Sequence, residues 1–598
     1  MKRAGVTARS TREVTVMRRS CGLILIAAAG LMAAASVAVA QTAPPMPAPL
    51  LTNTARFLPV IAKHGMVASQ EKRATRVGID ILKAGGNAID AAVATGFALA
   101  VTHPQAGNIG GGGFMLVHLA SRNETIAIDY RETAPAAMTR DVFLDANGEA
   151  DPKKSRDSAL GVGVPGTVAG LALAHEKYGS GKFTLSDLIA PAIKLAREGF
   201  EVDDELADTL PRALLRLGRW PASAKIFLKG NGTALTRGDR LVQTDLANSR
   251  ETIAGGGPRA FYEGPLAEKI AAGVRANGGI MTAGDLKSYQ AIVRPVVRGT
   301  YRGYGIASMP PPSSGGTHLI EILNILEGFP LREFGAGSAA TYHLMIEAMK
   351  PAYADRAQFL GDPAFVTVPV AGLTSKRYAA ELRKAIDPER ARPAQEIGAG
   401  NPAPYEGDNT THFSVVDSEG NAVSNTYTLN FFYGLGLVAE GTGILLNNEL
   451  DDFAAKPGAP NAFGLVGSDA NAPGPGKRPL SSMSPTIVTR DGRVFLVTGT
   501  HGGSRIITMV AQVILNVIDH GMNIAEAVAA PRIHHQWLPE QVDAESGLSP
   551  DTMRLLEARG HRIVVGRTFG SANSIMVTPD GLAGAADPRQ RGTLAEGY

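Results

Sequence analysis

The sequence predicts an α+β chain, built either as several domains or as one large layered unit, and three observations carry that expectation. Two pairs of short segments read as antiparallel strands: Phe114–His118 with Thr125–Tyr130, and His412–Asp417 with Ala422–Thr428 around a Ser418-Glu419-Gly420-Asn421 turn. Helical spacing fills long stretches between them. The length, 598 residues, exceeds the size at which one ordinary core stops growing.

In chain order, Lys2, Arg3, Arg9, Arg12, Arg18 and Arg19 precede an apolar run from Leu23 to Ala40, and Ala38-Val39-Ala40 makes a small-x-small site before Gln41. This is the pattern of a signal peptide over residues 1–40. A retained membrane anchor is the alternative; the run is alanine-rich and lacks flanking stop-transfer charges. The expectation is therefore a periplasmic or secreted protein with no stable membrane anchor. Met17 is a second candidate start, and Arg18-Arg19 is a slight hint of twin-arginine export. Gln41 to Leu58, rich in Pro and Ala, reads as a tether.

Arg73 to Ala84 has helical spacing and is stopped by Gly85-Gly86; Asn87 is placed to cap a second helix, Ala88 to Val101. That helix carries Asp90 and is too short to span a membrane. A helical middle runs from about 164 to 277, with Pro191 and Gly255-Gly256-Gly257 among its boundaries, and strand character returns near 290–308. Ala391 to Asp408 holds several prolines and glycines without apolar periodicity, and reads as a mobile exposed stretch. It runs directly into the second strand pair, with Thr410-Thr411 on the seam.

Composition narrows the chemistry. Hydrophobic residues make up 44% and charged residues 19%, with a net charge of +3 and no basic stripe, so nothing points to nucleic acid. The one cysteine, Cys21, lies in the leader; a mature chain has no disulfide, thiolate metal site or cysteine nucleophile. His534-His535 has no third ligand nearby in sequence, and no metal or cofactor is expected. Gly110-Gly111-Gly112-Gly113 is followed by no Lys-Ser/Thr, so it is not a phosphate loop and fits close backbone packing. Pro310 to Gly316 lacks nucleophile-elbow spacing.

If the bond between Asn409 and Thr410 is cut, Thr410 gains a free α-amine beside its hydroxyl. The unperturbed amine titrates at about 7.7–8.0 and so is partly able to take the hydroxyl proton at neutral pH. Taken alone, a threonine before a strand is far more often structural. Three other segments bear on it. Thr500-His501-Gly502-Gly503-Ser504-Arg505 follows a strand-like run and can aim two backbone N–H groups at one oxygen, or be a plain turn. Pro479-Leu480-Ser481-Ser482-Met483-Ser484-Pro485 clusters hydroxyls that suit a carboxylate or an ordinary loop. Arg131, in Asp129-Tyr130-Arg131-Glu132, can grip a carboxylate bidentately or form a structural ion pair.

From about Gly65 to Tyr598 the sequence resembles the γ-glutamyltransferase (γ-glutamyl transpeptidase) family in its bacterial periplasmic form. Seven blocks carry the resemblance in order: His103 to Asn108, Asp129 to Glu132, Met309 to Gly316, Asn409 to His412, Leu445 to Phe453, Pro479 to Thr486 and Gly502 to Ile506. The resemblance implies a four-layer αββα sandwich of the N-terminal-nucleophile hydrolase type. It implies self-cleavage into a large subunit, 41–409, and a small catalytic one, 410–598, interleaved as a heterodimer in one αββα unit. Thr410 is then both the cutting residue and the nucleophile, with Thr428 hydrogen-bonded to it and Gly502 and Gly503 forming the oxyanion hole. Arg131, Ser481 and Ser482 bind the donor's α-carboxylate; Asn430, Glu449 and Asp452 hold its α-amino group. The donors are glutathione and other γ-glutamyl compounds, and the acceptors water, amino acids or peptides.

One position departs from the family. Pro457 to Ser468 matches its lid loop, where bacterial relatives commonly carry a tyrosine that bonds the asparagine matching Asn430; here the position is Phe463. The expectation is a lid held less firmly and more hydrolysis relative to transfer. Cephalosporin and glutaryl acylases share the fold and the self-cleavage but act on side chains without the α-amino group; Arg131, Asp452 and the Ser481-Ser482 pair favour γ-glutamyl. An unprocessed, non-enzymatic relative is the third reading, opposed by the intact Thr410-Thr411-His412.

Overall fold

The alternating segments pair as expected, and the pairing builds two sheets. The computed structural model describes residues 57–402, 411–566, 568 and 570–598, with the backbone alone for Thr411. The leader 1–40, its tether up to residue 56, and the seam residues Asn409 and Thr410 lie outside the described residues.

Fourteen strands enter the two sheets: β1 (Val60–Ala62), β2 (Met66–Ser69), β3 (Gly112–Leu119), β4 (Glu124–Tyr130), β5 (Ile292–Pro295), β6 (Val297–Tyr301), β7 (Tyr304–Ser308), β8 (Thr411–Val416), β9 (Ala422–Thr428), β10 (Thr486–Arg490), β11 (Arg493–Thr498), β12 (Ser574–Thr578), β13 (Gly581–Ala585) and β14 (Leu594–Gly597). One sheet runs β1-β13-β12-β11-β10-β7-β6, the other β14-β2-β8-β9-β3-β4-β5. Each sheet takes strands from both sides of the 409/410 seam, so the two halves form one layered unit.

The sheets face each other across a thin apolar layer that includes Met66, Phe114, Leu116, Ile487, Val497 and Ile575. In β3, Phe114 and Leu116 enter that layer while Met115 and Val117 enter the core on the opposite face. A strand buried on both faces is apolar throughout, which is why this stretch reads as an almost unbroken run. Over that outer face lie α1 (Lys72–Lys83), α2 (Ala88–Thr102), α3 (Thr167–Tyr178) and α4 (Leu185–Glu198); over the other sheet lie α5 (Gly315–Leu326), α6 (Ala339–Phe359) and α7 (Arg505–Ile518). The order of layers is helix, sheet, sheet, helix.

Local signals fix several ends. Asn87 caps α2 by accepting from Ile89 and Asp90 N–H, and Asp90 returns the bond to the Asn87 N–H. Gly257, at φ 67°, ends the helix Thr244–Gly256. Pro191 does not act as a boundary: α4 runs through it. The lost backbone bond costs about 3 kcal/mol, and burying Leu188 and Ile189 at about 1.5–3 kcal/mol each offsets it. The stretch expected to be mobile and exposed is, between 391 and 402, exposed at Pro393, Gln395, Glu396 and Gly398, while Ala394 and Ile397 are buried.

The glycine run before β3 serves close approach. A Cβ on Gly110 would sit 2.1 Å from Leu445 O, on Gly111 2.0 Å from Thr428 O, and on Gly113 2.4 Å from Tyr427 Cβ. Gly111→Ala should therefore push β9 away at Thr428 and destabilise the fold by about 2 kcal/mol or more, read as a lower urea midpoint with unchanged slope.

Candidate active site

β4 ends one residue before Arg131, and the strand carries that side chain into the protein with no exposure. Four of its five N–H groups meet acceptors. Nε donates to Pro479 O at 3.0 Å, Nη2 to Leu480 O at 3.1 Å and to Asp452 Oδ2 at 2.7 Å, and Nη1 to Glu449 Oε1. Glu132 Oε2 lies 3.9 Å from Nη1. Three carboxylates thus surround one cation. The sequence reading gave Arg131 to a ligand's α-carboxylate and the acids to its α-amino group; the structure pairs Arg131 with those acids directly.

The surplus negative charge shows in the titration. Burial pushes the Glu132 carboxyl up to about 7, against the pull of Arg131, and raises Glu449 and Asp452 as well. Burial opposes the Arg131 charge, but Glu449, Asp452 and Glu132 together hold it firmly cationic. Several buried acceptors have no partner among the described residues: both Glu132 oxygens, Glu449 Oε2, Asp452 Oδ1, Asn430 Oδ1 and Ser482 Oγ. Leaving such groups unsatisfied costs about 1–3 kcal/mol each, so they mark places where a polar ligand is expected.

Two asparagines that sequence reasoning left without a role set this geometry. Asn447 Oδ1 accepts from Glu449 N–H at 3.0 Å, while its amide donates to Gly110 O and Gly163 O, fixing the 449–452 turn against the glycine run. Asn108 Nδ2 donates to Thr428 O at 2.7 Å, and its Oδ1 accepts from Gly111 N–H and the Thr167 hydroxyl. Both stand inside blocks that carry the family resemblance; no local pattern distinguishes them from turn asparagines.

Thr428 closes β9 in register with Gly112, one step past Tyr427, the partner of Thr411. Its Oγ1 accepts from Asn430 N–H at 2.7 Å, which keeps the hydroxyl proton available to another acceptor. Asn430 adopts φ 75°, and its amide donates to Asn448 O at 2.9 Å. The Ser481 backbone is clamped by Pro312 O and Ser314 N–H, which presents Ser482 beside it. Thr410 itself lies outside the described residues.

Gly502 (φ 140°) and Gly503 (φ 67°) form the turn into α7. Among the described residues neither N–H donates a backbone hydrogen bond. A Cβ at Gly502 would approach Met509 Cε to 2.7 Å, so this turn needs glycine on steric grounds as well. The N-terminal end of α7 adds positive partial charge where an oxyanion would sit. The two glycines line a cleft of about 730 Å³ with Asn430, Phe431, Phe463 and His501, and charged Glu205, Asp208, Arg212 and Arg589 stand around it.

Phe463 stacks on Phe431, centroids 5.2 Å apart and planes at 6°, and its carbonyl accepts from Gln536 Nε2 at 3.1 Å. Gln536 Oε1 also accepts from Ser504 Oγ at 2.6 Å, so one amide ties the lid loop to the glycine turn. Neither Gln536 nor Phe431 was legible as a site residue, because both act through contacts distant in sequence. The acceptor that a lid hydroxyl would need, Asn430 Oδ1, is among the unpartnered atoms.

The histidines do not supply a base. Burial lowers His501 to about 4 and His412 to about 3, and both sit in hydrogen bonds, His501 with Gln70 and His412 with Thr426 and Ser414. His534 bonds Thr508 and Gln536, and His535 accepts from Trp537 N–H. Elsewhere, His343, Glu347 and His561 bring ligand atoms within 4.8 Å of one another. These atoms are already engaged: the imidazoles bond each other at 2.8 Å, and Glu347 accepts from Lys350 and Arg392 N–H. A buried ammonium beside the trio also disfavours a cation there.

The sequence model of the family described as Gamma-glutamyltranspeptidase matches residues 74–597. The chain is similar to the glutathione hydrolase proenzyme of Escherichia coli (strain K12), 54% identical over 574 residues, 96% of this chain and 98% of that protein. Among solved structures it is similar to the cephalosporin acylase from Bacillus halodurans, with TM-score 0.81 at 31% identity over 92% of this chain and 99% of that one. It is similar also to Helicobacter pylori gamma-glutamyltranspeptidase, with TM-score 0.55 at 46% identity over 58% of this chain and 97% of that one.

The raised Glu132 carboxyl sets a pH window. Its folded value, about 7, exceeds the ordinary 4.5, so its contribution to stability is complete below about pH 4.5 and is lost as pH rises through 7. Glu132→Gln should therefore gain on the wild type across that interval, by about 2–3 kcal/mol at pH 8 relative to pH 4.5. Calorimetric melts at both pH values check this; a gap between the two proteins that does not change with pH contradicts the assignment.

Proposed function

The chain belongs to the γ-glutamyltranspeptidase family, with the αββα fold of N-terminal-nucleophile hydrolases, and from that premise we propose how its residues transfer the γ-glutamyl group of glutathione and related compounds to water, amino acids or peptides. The precursor cuts itself between Asn409 and Thr410, giving a large subunit, 41–409, and a small one, 410–598, that remain together as a heterodimer. The freed α-amine of Thr410 takes the hydroxyl proton, and Oγ attacks the γ-carbonyl. The N–H groups of Gly502 and Gly503 receive the oxyanion. The amine leaves, an ester remains on Thr410, and water or an acceptor amine takes the acyl group. Thr428, next to the register partner of Thr411, bonds the nucleophile.

The observation that carries this reading is the set of unpartnered buried acceptors around Arg131. A γ-glutamyl donor brings an ammonium and a carboxylate at one end. The ammonium satisfies Glu449 Oε2, Asp452 Oδ1 and Asn430 Oδ1; the carboxylate meets Ser482, Ser481 and the N–H of Arg131 that faces Glu132. A glutaryl side chain has no ammonium and would leave the acids unanswered. The likeness to a cephalosporin acylase keeps that substrate class as the second reading. A leader-directed periplasmic or secreted location fits the substrate class; among the described residues no helix is long and apolar enough to cross a membrane.

Mass spectrometry of the purified protein should give two fragments, the smaller beginning at Thr410, and Thr410→Ala should leave a single chain. One full-length wild-type species overturns the mechanism. Turnover of a γ-glutamyl anilide should exceed that of the glutaryl anilide by at least tenfold, on the order of one lost charged contact. Phe463→Tyr, which offers a hydroxyl to Asn430 Oδ1, should raise transfer relative to hydrolysis in assays with an acceptor dipeptide. An unchanged ratio means that the Phe431 stack already holds the lid.

A further inference from the structure

The stretch before the seam is held at intervals between Asp387 and Gly400, and its contacts come from both sides of the seam. On the near side, α6 presents one polar stripe to it. His343 Nε2 bonds Asp387 O at 2.7 Å, Lys350 Nζ donates to Arg392 O at 2.6 Å, Glu347 accepts from Arg392 N–H, and Asp355 Oδ1 accepts from Gly400 N–H at 2.6 Å. On the far side, Arg559 O accepts from Ala391 N–H at 2.7 Å and the Arg559 guanidinium pairs with Glu389 at 2.9 Å. Glu540 Oε1 accepts from Ala394 N–H at 2.8 Å, and the Trp537 indole N–H donates to Ala394 O and Ile397 O, both at 2.9 Å. The buried side chains of Ala394 and Ile397 complete the fit. Apart from one 3-10 turn, Ala394–Glu396, the described part of this run forms no helix or sheet ladder of its own, so most of its other backbone groups are answered from elsewhere.

We infer that residues 387–402 are a strap by which the small subunit holds the C-terminal end of the large one, with Trp537 as its central contact. The inference rests on the cut at 409/410 proposed above. After the cut, the strap is a tail of one chain seated on Trp537, Glu540 and Arg559 of the other.

The test uses the full-length protein and Trp537→Phe, which keeps a ring and removes the one indole N–H. In the cut enzyme, trypsin should cleave Arg390–Ala391 at least about fivefold faster in the variant, because that bond is protected only while the strap is seated. Glu540→Ala, which removes a different contact with Ala394, should speed trypsin cleavage in the same way and serves if Trp537→Phe fails to fold. A wild-type trypsin rate in either folded variant overturns the strap. A wild-type chain that never cuts refutes the cleavage reading instead, and the trypsin readout still reports whether 387–402 is held by Trp537.

Discussion

A guanidinium withdrawn from water has to be answered by acceptors that the backbone holds in place, and Arg131 imposes that demand where the site lies. Its N–H groups call in the carbonyls of Pro479 and Leu480 and the carboxylates of Glu449 and Asp452. The 449–452 turn and the 479–482 loop come from distant parts of the chain, and both are tied to the end of β4 by this one charge. Removing Arg131 would leave three acids buried together, which is why its partners are as much part of the fold as of the site.

The compensation is deliberately incomplete. Among the described residues, Glu132, Glu449, Asp452, Asn430 and Ser482 all keep an acceptor without a hydrogen-bond partner. Asn447 and Asn108 bond the glycine run, the 449–452 turn and the end of β9 into one frame. Polar groups held in this way suit the proposed zwitterionic ligand, whose charges would supply the partners they lack.

The loops around the cleft share an anchor. Gln536 holds the lid carbonyl and the glycine turn, and its neighbour Trp537 holds the stretch before the seam. Two segments of very different role therefore lean on one short stretch of the small half, next to the start of α7. The loop that carries Phe463 is held by a flat aromatic stack on Phe431, an apolar contact without the direction of a hydrogen bond.

Sequence alone determined the strand pair at the seam, the capped α2, the close-packing use of Gly110 to Gly113 and, through seven ordered blocks, the family and its candidate residues. These are legible because strand alternation, capping chemistry and the steric demand for glycine are local, and because ordered motifs keep their spacing. Pro191 was misread because side-chain burial, a tertiary quantity, outweighed a local backbone cost. The stretch after Ala391 looked mobile because its backbone partners lie on α6 and the 537–559 region, invisible at that distance in sequence. Only the tertiary structure decided that Arg131 faces its own acids, that Gln536 bridges lid and glycine turn, and that Asn430 keeps an open acceptor. Each is a contact between segments far apart in the chain, fixed by how the two sheets stack rather than by any residue's neighbours.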